Sequence, residues 1–332
     1  MRPWLGAIVA VSLLIGGMAI TWSALPDNAI RVKRRVVAES PSRDEPAAVP
    51  IDPAQDLMEA AQYADAKLLE SLLARGVDRK TLNRALFVAA RSEPLVLGAS
   101  GQQELDLLHA ATVRLLLSRG ASVRARDEDG TAPLAVAARK GETAVVKLLI
   151  EKGAEIDARD NSGATALIAA ACTCPIIDQP ETDGSVELLL AGGANIEASD
   201  KEGRTALMAA AAWGRESIVK ILLDRGAKIE TKDKRGNTAL LIAAEGGGYP
   251  TADAVKMLFA RGANIKARNN HGETALMLAA SNGGYEDIKI VEMLINRGAD
   301  LQAKNSDGLT AIELAVAKKR DEIVLRLRSA TR

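Results

Sequence analysis

Residues able to do covalent or metal chemistry are few in this chain. Its two cysteines fall together in "CTC", as Cys172 and Cys174, and its two histidines, His109 and His271, lie far from them. Such a cysteine pair could act as a nucleophile, a redox couple or half of a metal site, so an enzyme using this segment is one reading. A metal needs more ligands than two sulfurs, and no histidine is close in sequence to supply them. Two cysteines do not make a disulfide framework either. "SIVK", from Ser217 to Lys220, matches a serine–lysine catalytic spacing. It lies in a run of helical periodicity, where the lysine points to solvent as a routine surface charge. His271 stands beside Asn270 in a polar turn, suited to hydrogen bonding with a partner. His109 belongs to an insertion, where it packs or is solvated. No phosphate-binding glycine loop, zinc-protease helix motif or nucleophile elbow is present. The expectation is no catalytic residue, no metal site and no cofactor.

Composition points the same way. Lysine plus arginine equal aspartate plus glutamate at 43 each, so no global field draws in nucleic acid. At 332 residues the chain holds two ordinary domains or one long repetitive one. Its apolar residues are mostly alanine, leucine, isoleucine and valine, and aromatics make up 2%. That suits closely packed helices with small residues at their contacts, not an aromatic-lined pocket for a small-molecule substrate.

The elements that must position any functional surface begin after an unusual N-terminus. "WLGAIVAVSLLIGGMAITWSAL", residues 4–25, has 22 residues and no charge. As a helix it is about 33 Å long, enough to cross a hydrocarbon core of about 30 Å. Trp4 and Trp22 fall near its ends, where interfacial aromatics are expected. A cleaved signal peptide competes with this reading, because Arg2 and the amine form a short positive region ahead of the apolar run. The run is longer than a usual signal core, and a cut after Ala24 would put bulky Trp22 at the minus-three position, which favours a single-pass anchor over residues 1–25. Cleavage after Ser23 would export the rest. "RVKRR", residues 31–35, favours a cytoplasmic side for the remainder of the chain. Residues 26–52, with four prolines and no periodicity, read as a disordered linker.

Beyond residue 126 one pattern recurs. "DGTAPLAVAARKG", "SGATALIAAACTC", "EGRTALMAAAAWG", "RGNTALLIAAEGG", "HGETALMLAASNG" and "DGLTAIELAVAKK" each open a unit. All but the last lead to a segment such as "VKILLDRGAKIETK". The opening aspartate or asparagine falls at 127, 160, 200, 233, 269 and 305, a base period of 33 residues with insertions. A fixed period of this size signals a solenoid. The glycine after the opening residue suits a left-handed turn. Thr165, Thr205, Thr238, Thr274 and Thr310 are placed to cap a first helix. Paired alanines such as Ala210 and Ala211 let helices approach closely. A second helix carries core aliphatics, such as Ile218, Ile221, Leu222 and Leu223, and closes on a glycine.

These motifs resemble the ankyrin repeat family over residues 53–332. The resemblance implies an all-α solenoid of about eight helix-turn-helix units with β-hairpin-like finger loops, following an N-terminal apolar helix and a disordered linker. The units fall at about 56–78, 79–126, 127–159, 160–199, 200–232, 233–268, 269–304 and 305–332. The second is split by an insertion over about 92–109. Further insertions, including 172–184, fall between the two helices of their units. The family's "TPLH" appears as "TAL" with an apolar fourth residue, and proline is kept only at Pro133. That change implies slightly less rigid fingers. Arg326 and Arg328 mark the last helix as a cap.

The family grips protein partners with its finger tips and first-helix edges on a concave face. Carried over by position, the partner-binding tips are Glu128, Asp129, Lys201, Glu202, Arg204, Lys234, Arg235, Asn237, Asn270, His271 and Glu273. The helix edges add Arg139, Lys140 and Trp213, which ends a first helix at an exposed central position. Tyr63 aligns with Trp213 in the first unit. The implied function is protein–protein interaction by a monomeric, membrane-tethered scaffold of no enzymatic activity. The alternative is an exported module that protects or delivers a specific enzyme.

Overall fold

The computed structural model describes residues 52–91, 99–172, 182–246, 250–282 and 286–331, without the side chains of 99–105. The apolar segment 4–25, Cys174, most of the linker and the centres of the insertions lie outside these residues. Among the described residues no helix is long and apolar enough to cross a membrane. The chain divides into a segment ending at Asp56 and an array from Leu57 to Arg332.

Sixteen helices are described, and no strand beyond one isolated bridge, Ser199 to Thr205. First helices are α1 (Pro53–Gln62), α3 (Arg79–Ala90), α5 (Pro133–Lys140), α7 (Ala166–Ala171), α9 (Ala206–Ala212), α11 (Ala239–Glu245), α13 (Ala275–Ser281) and α15 (Ala311–Ala317). Second helices are α2 (Ala66–Leu73), α4 (Ala99–Ser118), α6 (Thr143–Glu151), α8 (Asp183–Ala191), α10 (Glu216–Asp224), α12 (Ala252–Ala260), α14 (Asp287–Asn296) and α16 (Asp321–Ala330). First helices stack on one another from α3 to α15, and second helices from α2 to α16.

Small residues make that stacking possible. Ala137 and Ala138, Ala170 and Ala171, Ala210 and Ala211, Ala243 and Ala244, and Ala279 and Ala280 are all fully buried between units. No helix of six to ten residues is stable alone in water, so burial against neighbours must hold it. The five expected threonines do cap first helices, although their oxygens accept from the third backbone N–H at a long 3.4–3.5 Å. In α5, Ala132 takes the cap position without a side-chain bond, and Pro133 opens the helix instead.

The insertion near 92–109 is in part helical. Residues 99–109 form the N-terminal half of α4, at 20 residues the longest described helix, so the added length there extends a second helix. His109 is buried within it, its Nε2 at 3.1 Å from the Gln62 carbonyl oxygen.

A buried polar row runs through the stack, at the start of the second helices and, in α4, at mid-helix, and it has no counterpart among the sequence motifs. It comprises His109, Glu142, Thr182, Arg215, Thr251 and Asp287. Thr182 and Thr251 donate to the Ala170 and Ala243 carbonyls at 3.0 and 2.7 Å. Arg215 reaches back to Thr182 and Asp183, both at 3.4 Å, and Arg320 pairs with Asp287 at 2.8 Å. Each bond either closes a helix end or crosses to the next unit, so buried polarity here fixes the register of stacking.

Candidate functional site

The finger loops are built from one side chain each. The carboxylate of Asp127, Asp160, Asp200 or Asp233, or the amide oxygen of Asn269 or Asn305, accepts from the backbone N–H two and four residues on. For Asp160 the distances are 2.8 Å to Ser162 and 2.9 Å to Ala164, and for Asn269 they are 3.0 Å to both His271 and Glu273. A backbone bond closes each loop, such as Asp200 N–H to the Arg204 carbonyl at 3.0 Å. These short aspartate and asparagine side chains brace the turn where the family's histidine is missing.

Successive fingers are joined by single backbone hydrogen bonds. Asn161, Lys201, Lys234, Asn270 and Ser306 donate to the carbonyls of Asp129, Ser162, Glu202, Arg235 and His271, at 2.8–2.9 Å. Arg159 adds a staple, its Nη1 donating to Gly163 and Ser199 carbonyls. Arg268 does the same to Gly272 at 2.9 Å and Lys304 at 2.6 Å. Six fingers thus form one ledge whose main chain is satisfied internally, leaving the tips to vary.

The ledge displays most of the expected residues. Glu128, Asp129, Lys201, Glu202, Lys234, Arg235, Asn270 and His271 are exposed, and so is Arg139. Lys140 and Glu273 are half-buried, and Glu273 accepts from Asn269 Nδ2 at 2.8 Å. Arg204 is exposed but held by Asp200 at 2.9 Å, and Arg235 lies 3.9 Å from Glu245. Asn237 does not belong here. It is 3% exposed, and both its backbone N–H and its Nδ2 turn inward to Asp233. Its position after the finger glycine matched exposed Arg204 in sequence, yet here the amide folds under the turn.

Trp213 is also corrected in part: it is half-buried at the end of α9, not fully exposed. Tyr63 is exposed in the first unit, followed by Ala64 at φ +50°, as Trp213 is followed by Gly214 at φ +67°. The two aromatics therefore share a backbone position, although no finger precedes Tyr63.

Cys172 stands exposed at the end of α7, and partial desolvation there pushes its thiol pKa up, against smaller pulls from Arg204 and Arg139. A thiol kept protonated is a poor nucleophile. Ser217 and Lys220 both face solvent on α10. Among the described residues no group of three or more histidine, cysteine or acidic side chains could hold a metal ion.

A family model described as ankyrin repeats (3 copies) matches residues 57–160, 106–182, 179–269 and 240–331. No curated protein matches the chain.

Proposed function

The chain belongs to the ankyrin repeat family, whose arrays are protein–protein interaction modules, and on that premise we propose a membrane-tethered scaffold that binds a partner on its finger face. The observation that carries the reading is the ledge. Its backbone bonds are made between fingers, while side chains of unlike charge project from a fixed row. Such a surface recognises a folded partner by complementarity, with little reorganisation on binding. Acidic tips at Glu128 and Asp129 and basic tips at Lys234 and Arg235 favour a partner of graded charge. Trp213, half-buried at the C-terminal end of α9, supplies apolar area on the first-helix edge of the middle of the array, and tryptophan is enriched among residues that dominate binding energy.

The test is capture of a partner by the full chain, repeated with Trp213→Ala and with Lys234→Glu/Arg235→Glu. Trp213→Ala should weaken binding at least thirtyfold, corresponding to about 2 kcal/mol, with little change in unfolding midpoint. Unchanged affinity with a clear loss of stability would assign the indole to the stack. Tethering through residues 4–25 predicts that carbonate leaves the protein in the membrane fraction, and complete release would refute it. The short positive region at Arg2 favours a second reading, a cleaved and exported module, which N-terminal sequencing of the mature protein separates from the first.

A further inference from the structure

Charge in this array changes sign in a definite order. Counting every lysine, arginine, aspartate and glutamate, units 127–159, 160–199, 200–232 and 233–268 carry −2, −6, +2 and +3. The outer units 56–78, 79–126, 269–304 and 305–332 carry −3, +5, −2 and +2. When two copies lie antiparallel, crossing between the fourth and fifth units, every unit faces one of opposite sign. First meets eighth, second meets seventh, third meets sixth and fourth meets fifth. Parallel copies in register set like charge on like throughout. An antiparallel slip of one unit either way leaves attraction only between third and fifth, or between fourth and sixth. The order therefore favours one orientation and one register, by repulsion as much as by attraction.

The finger face carries the same order in both of its rows. At the tips, exposed Glu128 and Asp129 of the third unit answer exposed Lys234 and Arg235 of the sixth. At the first-helix ends, Arg139 and Lys140 of the third answer Glu245 of the sixth. Between these units the tips are nearly neutral. Asn161 and Ser162 are uncharged, Lys201 offsets Glu202, and Arg204 is held by Asp200 at 2.9 Å. The opening carboxylates of Asp127, Asp160 and Asp233 are engaged within their own loops. Arg235 stands 3.9 Å from Glu245, a long, exposed pair that exchanges partners at little cost. The outer face differs. There Lys147, Glu151 and Lys152 of the third unit and Asp253, Lys256 and Arg261 of the sixth are all exposed, and each set sums to +1.

We propose that two copies of this chain associate antiparallel through their finger faces, about a two-fold axis between the fourth and fifth units. The proposal rests on the finger-face reading and gives that face its partner. Such an axis makes the contact isologous: each copy offers an acidic and a basic site and meets the opposite one twice. Backbone bonds of 2.8–2.9 Å between fingers hold the tips in a fixed row, so pairing at one unit keeps register with the next. Trp213, at the end of α9 in the fifth unit, falls in the neutral middle, opposite the end of α7 in the second copy. An aromatic at a centre of low charge, with charged flanks, is the arrangement of a specific interface.

The experiment follows self-association of the full chain by analytical ultracentrifugation in a mild non-ionic detergent, at low and high salt. Three variants are compared: Glu128→Lys/Asp129→Lys, Lys234→Glu/Arg235→Glu, and all four substitutions together. The first leaves both sites basic and the second leaves both acidic, so each should raise the dimer Kd roughly tenfold or more. An equimolar mixture of the two should recover dimers, as heterodimers. The fourfold variant should recover them alone, since its signs are reversed but still opposite, and that recovery shows that the substituted tips fold. High salt should weaken the parent dimer. A parent chain that stays monomeric, dimers indifferent to both swaps, or no recovery in either arm overturns the second copy as partner. If a monomeric chain captures another protein and loses it with Lys234→Glu/Arg235→Glu, self-association falls and the finger face stands. No effect of either swap on self-association or on capture overturns both readings.

Discussion

Two glycines with the same backbone conformation isolate what one finger contributes to the next. Gly163 and Gly308 occupy the same place in their loops, at φ +83° and +78°. An alanine at either position bears the left-handed penalty, about 1–2 kcal/mol. There the likeness ends. A Cβ on Gly163 would stand 2.9 Å from the Lys201 backbone nitrogen, which itself donates to the Ser162 carbonyl at 2.8 Å. A Cβ on Gly308, the last finger, meets nothing within 4 Å. Relieving the contact at 163 means moving backbone, with overpacking of about 1–3 kcal/mol. It also endangers a hydrogen bond contributing about 0.5–1.5 kcal/mol. Gly163→Ala should therefore cost roughly 3–5 kcal/mol and Gly308→Ala roughly 1–2. A terminal unit frays locally in such an array, so each variant is best read by native-state hydrogen exchange in its own unit, with urea unfolding as the global check. The Lys201 amide should lose protection in Gly163→Ala. Equal costs for the two variants, or a Lys201 amide as protected as before, would refute the claim that finger contacts hold the ledge.

Gly214→Ala should be at least as damaging, because its Cβ would lie 2.0 Å from the Pro250 carbonyl oxygen; thermal unfolding should show a loss of roughly 3–5 kcal/mol. Lys319, at φ +57° in the last inter-helix turn, carries the strain that Gly141, Gly214 and Gly246 avoid in theirs, so Lys319→Gly should slow exchange in α16 by relieving about 1 kcal/mol. Glu313 accepts from Thr310 N–H and Oγ1, both at 2.8 Å, and these bonds lower its pKa from the ordinary 4.5. A carboxyl depressed by folding contributes stability above 4.5 that fades as pH falls through its lower folded value. Amide exchange in α15 should quicken across that acid range, and Glu313→Gln should remove the dependence.

Local features are legible in the sequence alone. The threonine caps, the alanine pairs and the turn glycines each work within a few residues, so the period of 33 carries them in the string itself. What crosses between units is hidden there. The finger bonds are made by main chain, which every residue possesses, and the only trace of them is a glycine already explained by its φ. Asn237 and Arg204 share a position and a polar character, yet one folds under its loop and the other projects, because only the shorter amide fits beneath the turn. The polar row from His109 to Asp287 escapes notice because its members differ in type, and position alone unites them. The α4 extension is obscured by "PLVLG" and "SGQQ", which resemble loop until Asp106 and His109 find partners in neighbouring units.

The two ends of each unit are under different physical constraints. Between one finger and the next the chain lengthens from 33 residues to as many as 40, and the added length falls in sequence between the first and second helices of a unit. The finger end keeps one hydrogen bond per step throughout. Insertions could therefore accumulate on one side without altering the pitch read on the other, as notes can be added to a ruler's back while its divisions hold. Length added between the helices therefore leaves a partner on the tips meeting the same spacing.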